Sequence, residues 1–222
     1  MNKDTSTVII GLCGRSGSGK GYLSEIFGEL GIKSIDTDAV YHEMTGTPTG
    51  GKVHPCMREL AEQFGNAVLN NTGSLNRRAL SEIVFAPDGK EKLNTLNRIT
   101  HRYILEETAR RIASAESSGE VAVIIDAPLM FESGCDRMCD VIIAADAPEE
   151  VLLRRISDRD GISISAAQSR LASQISRDEL SERADFVINT HKSRDELLDE
   201  VRELLSRITD KNYAEKGKDR KK

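Results

Sequence analysis

Seven residues near the amino terminus, Gly14-Arg15-Ser16-Gly17-Ser18-Gly19-Lys20, combine a bare main chain with a lysine at a fixed distance. Glycines let the chain curl with its N–H groups pointing inward, and they leave no side chain in the way of an approaching anion. A helix starting at the lysine adds partial positive charge from its N-terminus. Lys20 then supplies a point charge for the outer phosphates of a nucleotide. This spacing reads as a phosphate cradle only if a strand precedes it and a helix follows. Both are predicted. Val8 to Cys13 is an apolar, β-branched run, while Leu23, Ile26, Phe27 and Leu30 recur at helical spacing, with Gly31 as the stop. The competing reading is a glycine-rich turn that holds nothing.

Gly21 stands where such loops usually carry Ser or Thr, whose hydroxyl helps to hold Mg²⁺. Without it the metal must be held by the nucleotide, by water and by a carboxylate elsewhere, which Mg²⁺ tolerates. The candidate carboxylate is Asp126, closing the run "VAVIID". A strand-end Asp is also a common turn former or helix cap.

Asp36 and Asp38 in "SIDTD" form a second constellation. Ending a short strand at period-two spacing, they are expected on one side of an extended chain. There one can accept the proton of an attacking hydroxyl, while the other caps the next helix. A third group is the set Arg154, Arg155, Arg159, Arg170, Arg177 and Arg183. Arginines suit the spread charge of a phosphoryl group in transfer, and Arg155 and Arg159 share a helix face. The bland alternative is a solvated helix paired with Asp158 and Asp160. Six arginines in one stretch of an acidic chain favour a phosphate-facing lid.

These residues need a scaffold. Five segments read as buried parallel strands: 8–13, 33–36, 121–126, 140–145 and 186–189. Between Val40 and Ser118 the pattern is helical and too long for a connecting loop. The tail "DKNYAEKGKDRKK" is polar and expected to fray. The 222 residues suit an α/β unit with one inserted subdomain. A net charge of −5 speaks against nucleic acid or an anionic membrane as partner, and requires positive charge to be concentrated locally. The polar start "MNKDTST" and the short apolar run after it suit no targeting signal. Cys13, Cys56, Cys135 and Cys139 lack paired metal-ligand spacing and read as free thiols of a cytoplasmic protein.

The pieces "GRSGSGKG", "LGIKSIDTDAV", "GSLNRRALSEIVF", "LNRITHRYI", "DAPLMFESG", "VIIAADAPEEVLLRRISDRDGIS" and "RLASQISRDELSERADFVINT" run in order from Val8 to about Leu205. Together they resemble the dephospho-CoA kinase family. The loop alone is shared widely, whereas "IDTD", "DAPLMFE" and the "SQISR" series are more selective. The resemblance implies an α/β P-loop kinase core with a five-stranded parallel sheet over 1–40, 119–152 and 185–206. It also implies a helical acceptor domain over 41–118, a helical lid over 153–184 and a flexible tail over 207–222. The implied reaction places a phosphate of ATP, with Mg²⁺, on the ribose 3′-hydroxyl of dephospho-CoA, in a monomer with no nucleic-acid or membrane partner.

By position, Asp38 matches the catalytic base, Lys20 the triphosphate lysine and Arg155 a lid arginine beside the phosphates. The implied ATP site is Gly14, Arg15, Ser16, Gly17, Ser18, Gly19, Lys20, Gly21 and Tyr22, with Arg155 and, near the adenine, Asn189. Asp36, Asp38, Arg77 and His101 fall in acceptor-side motifs, and Asp126 is the metal candidate. Two features depart from the family: Gly21 and Tyr22 replace a hydroxyl pair, and Arg102 stands where many members have Pro, so the helix is expected to start differently there. Sequence physics alone leaves open another nucleoside or nucleotide kinase on the same core, and a sensor that binds nucleotide without transferring phosphate.

Overall fold

A computed structural model describes residues 7–48, 50 and 52–210. The apolar runs form β1 (Val8–Gly14), β2 (Lys33–Asp36), β3 (Ala122–Asp126), β4 (Val141–Asp146) and β5 (Phe186–Asn189). These make one five-stranded parallel sheet in the order β2-β3-β1-β4-β5. Position in that order explains composition. Every residue of β3 and β4 is buried, as expected for inner strands covered on both faces, whereas the edge strands β2 and β5 each expose residues. Register aligns Leu12 with Asp126 and with Ile143, and Asp146 with Asn189. The carboxyl ends of four strands, at Gly14, Asp126, Asp146 and Asn189, therefore fall along one edge, where open α/β sheets bind their ligands.

The chain divides into two units, residues 1–35 with 111–222, and residues 36–110. In the first, α1 (Lys20–Glu29) buries Leu23, Ile26 and Phe27, the stripe expected from their spacing. It shares a core with β1 and with Leu197, Val201 and Ile208 of α9 (Arg194–Ile208). Each such side chain contributes about 1.5–3 kcal/mol. Past Leu30, the N–H groups of Gly31 and Ile32 bond back to Gly28 and Phe27, so Gly31 stops the helix as its sequence suggests. Three further helices, α6 (Glu149–Asp160), α7 (Ile164–Ala172) and α8 (Arg177–Arg183), follow β4. Leu152, Leu153, Ile156, Ala167 and Leu171 give α6 and α7 a small core of their own.

The second unit holds α2 (Thr37–Thr45), α3 (Pro55–Phe64), α4 (Arg77–Val84) and most of α5 (Lys90–Ser117). Cys56, Met57, Leu60, Val68, Leu80 and Ile99 are at its centre. The helical reading of this stretch holds. One detail does not: α5 runs unbroken through His101 and Arg102, so no helix begins there. Arg102 instead pairs with Glu59 and lies over the Tyr103 ring.

All four cysteines are buried and none is in a disulfide. Among the described residues, no helix is long and apolar enough to cross a membrane. The start, residues 1–6, and the tail from Lys211 lie outside the described residues, and Arg207 and Ile208 belong to α9.

Candidate active site

The β1–α1 loop is built as its glycines require. Gly17 and Gly19 have φ of +75° and +80°, a region closed to most L-residues. A Cβ on Gly17 would lie 2.7 Å from the Leu152 carbonyl oxygen. The helix that follows is unusual in this chain. In α2, α4, α7, α8 and α9 a side chain accepts from the first-turn backbone, whereas α1 has no capping side chain and no acid in its first turn. Its leading N–H groups and positive pole are left for an anion.

That end opens into a cavity of about 460 Å³ lined by Gly14 to Gly21, Pro128, Leu129, Arg155, Arg159 and Gln174. Arg15, Lys20, Arg155 and Arg159 bring four basic side chains to its wall, the local positive charge that an acidic phosphate-handling chain needs. Lys20 is ion-paired with the buried Asp126 at the end of β3. Arg155 donates to the Gly17 carbonyl (3.1 Å) and to the Thr190 hydroxyl (3.0 Å) and carbonyl (3.2 Å). Gln174, just after α7, reaches the loop tip, accepting from Ser16 N (2.9 Å) and donating to Ser16 Oγ (3.0 Å). The Ser18 hydroxyl and Arg15 Nε, both in the cavity wall, are buried without a hydrogen-bond partner. Such atoms are costly and cluster at functional sites.

The six arginines expected in a phosphate-facing lid do not share one face. Only Arg155 and Arg159 line the cavity. Arg154 pairs with Asp158 (3.8 Å), Arg170 with Asp160, and Arg177 with the buried Asp146 (2.6 Å). Arg183 lies 3.8 Å from the Phe131 ring centre. Arg159 also holds Asp160, and its paired hydrogen bonds pull that carboxyl down to about 2.

Asp36 and Asp38 correct a second expectation. The strand ends at Asp36 and Asp38 is already helical, so the two are not neighbours on an extended chain. Asp36 is the N-cap of α2, accepting from Asp38 N (2.8 Å) and Ala39 N (3.0 Å), and Asp38 stands exposed in the first turn. In the same unit Arg77 donates to His42 Nδ1 (2.8 Å) and Thr45 Oγ1 (3.3 Å) and lies 5.3 Å from the Tyr41 ring centre. Burial raises the Tyr41 phenol above its usual value, and the Arg77 charge works against that rise. His101 is half-buried in mid-helix.

Of the residues expected at the nucleotide, Gly14 to Gly21 and Arg155 converge on one cavity. Tyr22 is on the exposed flank of α1. Asn189 ends β5, and its side chain accepts from His191 N (2.9 Å). Gln174 and Thr190 were not legible as site residues. "SQISR" pointed to the first only as part of a family pattern, and a threonine after a strand carries no signal of its own.

A sequence profile described as dephospho-CoA kinase matches residues 8–196. A dephospho-CoA kinase of Syntrophotalea carbinolica is 37% identical over 203 residues, covering 90% of this chain and 92% of that relative. Among solved structures, a Thermus thermophilus protein superposes with a TM-score of 0.73 at 26% identity, covering 91% of this chain and 98% of that one. Dephospho-CoA kinase from Campylobacter jejuni gives 0.66 at 28% identity, covering 92% and 98%. With the cradle, the strand-end acids and these matches along nearly its whole length, the chain belongs to the dephospho-CoA kinase family.

Proposed function

We propose that this protein transfers the γ-phosphoryl group of ATP to the ribose 3′-hydroxyl of dephospho-CoA, giving ADP and CoA. Family membership supplies the acceptor. The observation that carries the donor side is the uncapped start of α1, opening on a cavity walled by four basic side chains. The loop amides and Lys20 hold the β and γ phosphates, and Arg155 and Arg159 face the charge that spreads over the transferring group. Asp38 accepts the hydroxyl proton as the acceptor oxygen bonds to the γ-phosphorus and the bond to the β–γ bridging oxygen breaks. Asp36 serves this step indirectly, since its carboxylate fixes the turn that carries Asp38. Arg77 and His101 are the acceptor-side contacts of this reading, Asn189 its adenine neighbour, and residues 153–184 its lid.

The residues present suit a Mg²⁺ held mainly by nucleotide and water. Among the described residues no cluster of three or more metal-binding side chains occurs, Gly21 offers no hydroxyl, and Asp126 is the nearby acid. When bound, Mg²⁺ would supply neutralising charge to the nucleotide phosphates. A coupled ADP assay with dephospho-CoA, AMP, UMP, cytidine and uridine tests the proposal. Turnover with dephospho-CoA above all others is expected, and preference for any other acceptor refutes it.

A further inference from the structure

We propose that Thr190 is a positioning residue for phosphoryl transfer, whose hydroxyl aims the phosphate loop and seats Arg155. This rests on the nucleotide reading of the β1–α1 cavity. Thr190 follows β5 and is 2% exposed. Its hydroxyl donates to the Ser18 carbonyl at 2.5 Å and accepts from Arg155 at 3.0 Å. Its own N–H donates to the Asp146 carbonyl at 2.8 Å, which fixes its backbone to the end of β4. One residue thus joins the loop and the arginine through its side chain and the sheet edge through its backbone.

The direction of the first bond gives it a role in the chemistry. A peptide unit is planar and, among the described residues, trans, so its C=O and N–H point opposite ways. Holding the Ser18 carbonyl toward Thr190 turns the Gly19 N–H the other way, and Gly19 lines the phosphate cavity. The Thr190 carbonyl also accepts from Arg155 at 3.2 Å, but only the hydroxyl can receive Arg155 and hold Ser18 at once. It has one proton, given to Ser18, and a lone pair, given to Arg155. The approach is also close: a Cβ on Gly19 would sit 2.7 Å from the Thr190 oxygen. Thr190 itself is not among the residues that line the cavity. It decides where an amide donor and a guanidinium stand when they arrive.

The test is ADP and ATP binding by calorimetry, with steady-state kinetics, on Thr190→Val, Thr190→Ala and Thr190→Ser. Valine keeps the shape without the hydroxyl, alanine drops both, and serine keeps the hydroxyl. A hydrogen bond to a charged group governs the size, so binding of ADP is expected to weaken on the order of 10–100-fold in Thr190→Val. Thr190→Ser should return to within about threefold of the parent by the same reckoning. Adenosine binding and the KM for the acceptor should not move, a split that general loosening of the fold would not give. If Thr190→Val fails to fold, Thr190→Ala against Thr190→Ser makes the same comparison. Unchanged ADP binding in the variants lacking the hydroxyl overturns the proposal, as does equal loss in Thr190→Ser. A wrong acceptor leaves the ADP result intact, and a parent protein that binds no ADP fails the nucleotide reading itself.

Discussion

Lys20, the first residue of α1, and Asp126, the last of β3, are ion-paired with side chains only 20% and 10% exposed. On the proposed nucleotide reading, an incoming triphosphate would compete with Asp126 for the Lys20 ammonium, and the Asp126 carboxylate would be the acid nearest the phosphates and their Mg²⁺. Asp126→Asn removes that charge but keeps a hydrogen-bonding side chain. The half-saturating Mg²⁺ concentration is expected to rise on the order of tenfold, the usual weight of an outer partner of a metal. A Mg²⁺ titration that overlays the parent's would remove Asp126 from the metal's surroundings.

Asp36 and Asp38 should separate cleanly on mutation. Asp38→Asn is expected to lower kcat on the order of 10²–10⁴-fold while ATP affinity stays put, because it removes a proton acceptor and no nucleotide contact. Asp36→Ala takes away the carboxylate that caps α2. It should cost about 1 kcal/mol of stability, read by urea unfolding, with a smaller fall in kcat. A nearly silent Asp38→Asn beside a crippled Asp36 variant would reverse the assignment.

Two glycines only two residues apart should respond in opposite ways. A Cβ on Gly21 meets nothing within 4 Å, and Gly21 is helical. Gly21→Ser is expected to add about 0.5 kcal/mol of stability from helix propensity. It should also lower the Mg²⁺ requirement, because it restores a hydroxyl where such loops normally have one. Gly19→Ala must adopt φ +80° and press on Thr190 and Arg155. Loss of nucleotide binding is the expected result, measured by calorimetry. A Gly19→Ala protein that binds ATP normally would mean the cradle does not need this curl.

The sheet and the cradle were legible because each is written locally. A continuous apolar run needs no partner to be read as an inner strand, and three glycines before a lysine state their own geometry. The misread parts depend on choices between local rules. For Asp38 the strand rule was extended two residues too far, while the capping role expected of one of the pair falls to Asp36. For the arginines, composition was read where pairing decided. Arg154 and Arg183 each have an acid four residues away along the helix, Asp158 and Glu179, and these pairs hold in the structure. Thr190 was out of reach for a different reason. Its meaning comes from β5 lying beside β4 and from a loop 172 positions earlier in the chain.

The buried thiols give the protein a defined alkaline weakness. Burial pushes the Cys13 and Cys56 thiols up to about 12 from an ordinary 9.0. The folded state thus keeps two protons that the unfolded chain releases above its ordinary thiol pKa. Since stability falls with pH wherever the folded state binds more protons, the contribution is whole below pH 9 and is lost progressively as pH rises toward 12. Melting temperatures across that window should decline. In Cys13→Ala and Cys56→Ala the decline should be shallower, because alanine has no proton to lose. Native protein should also resist iodoacetamide at neutral pH and react once unfolded by urea, since a protonated, buried thiol is a poor nucleophile. Rapid labelling of the folded chain, or alkaline slopes identical in the parent and both variants, would contradict this account.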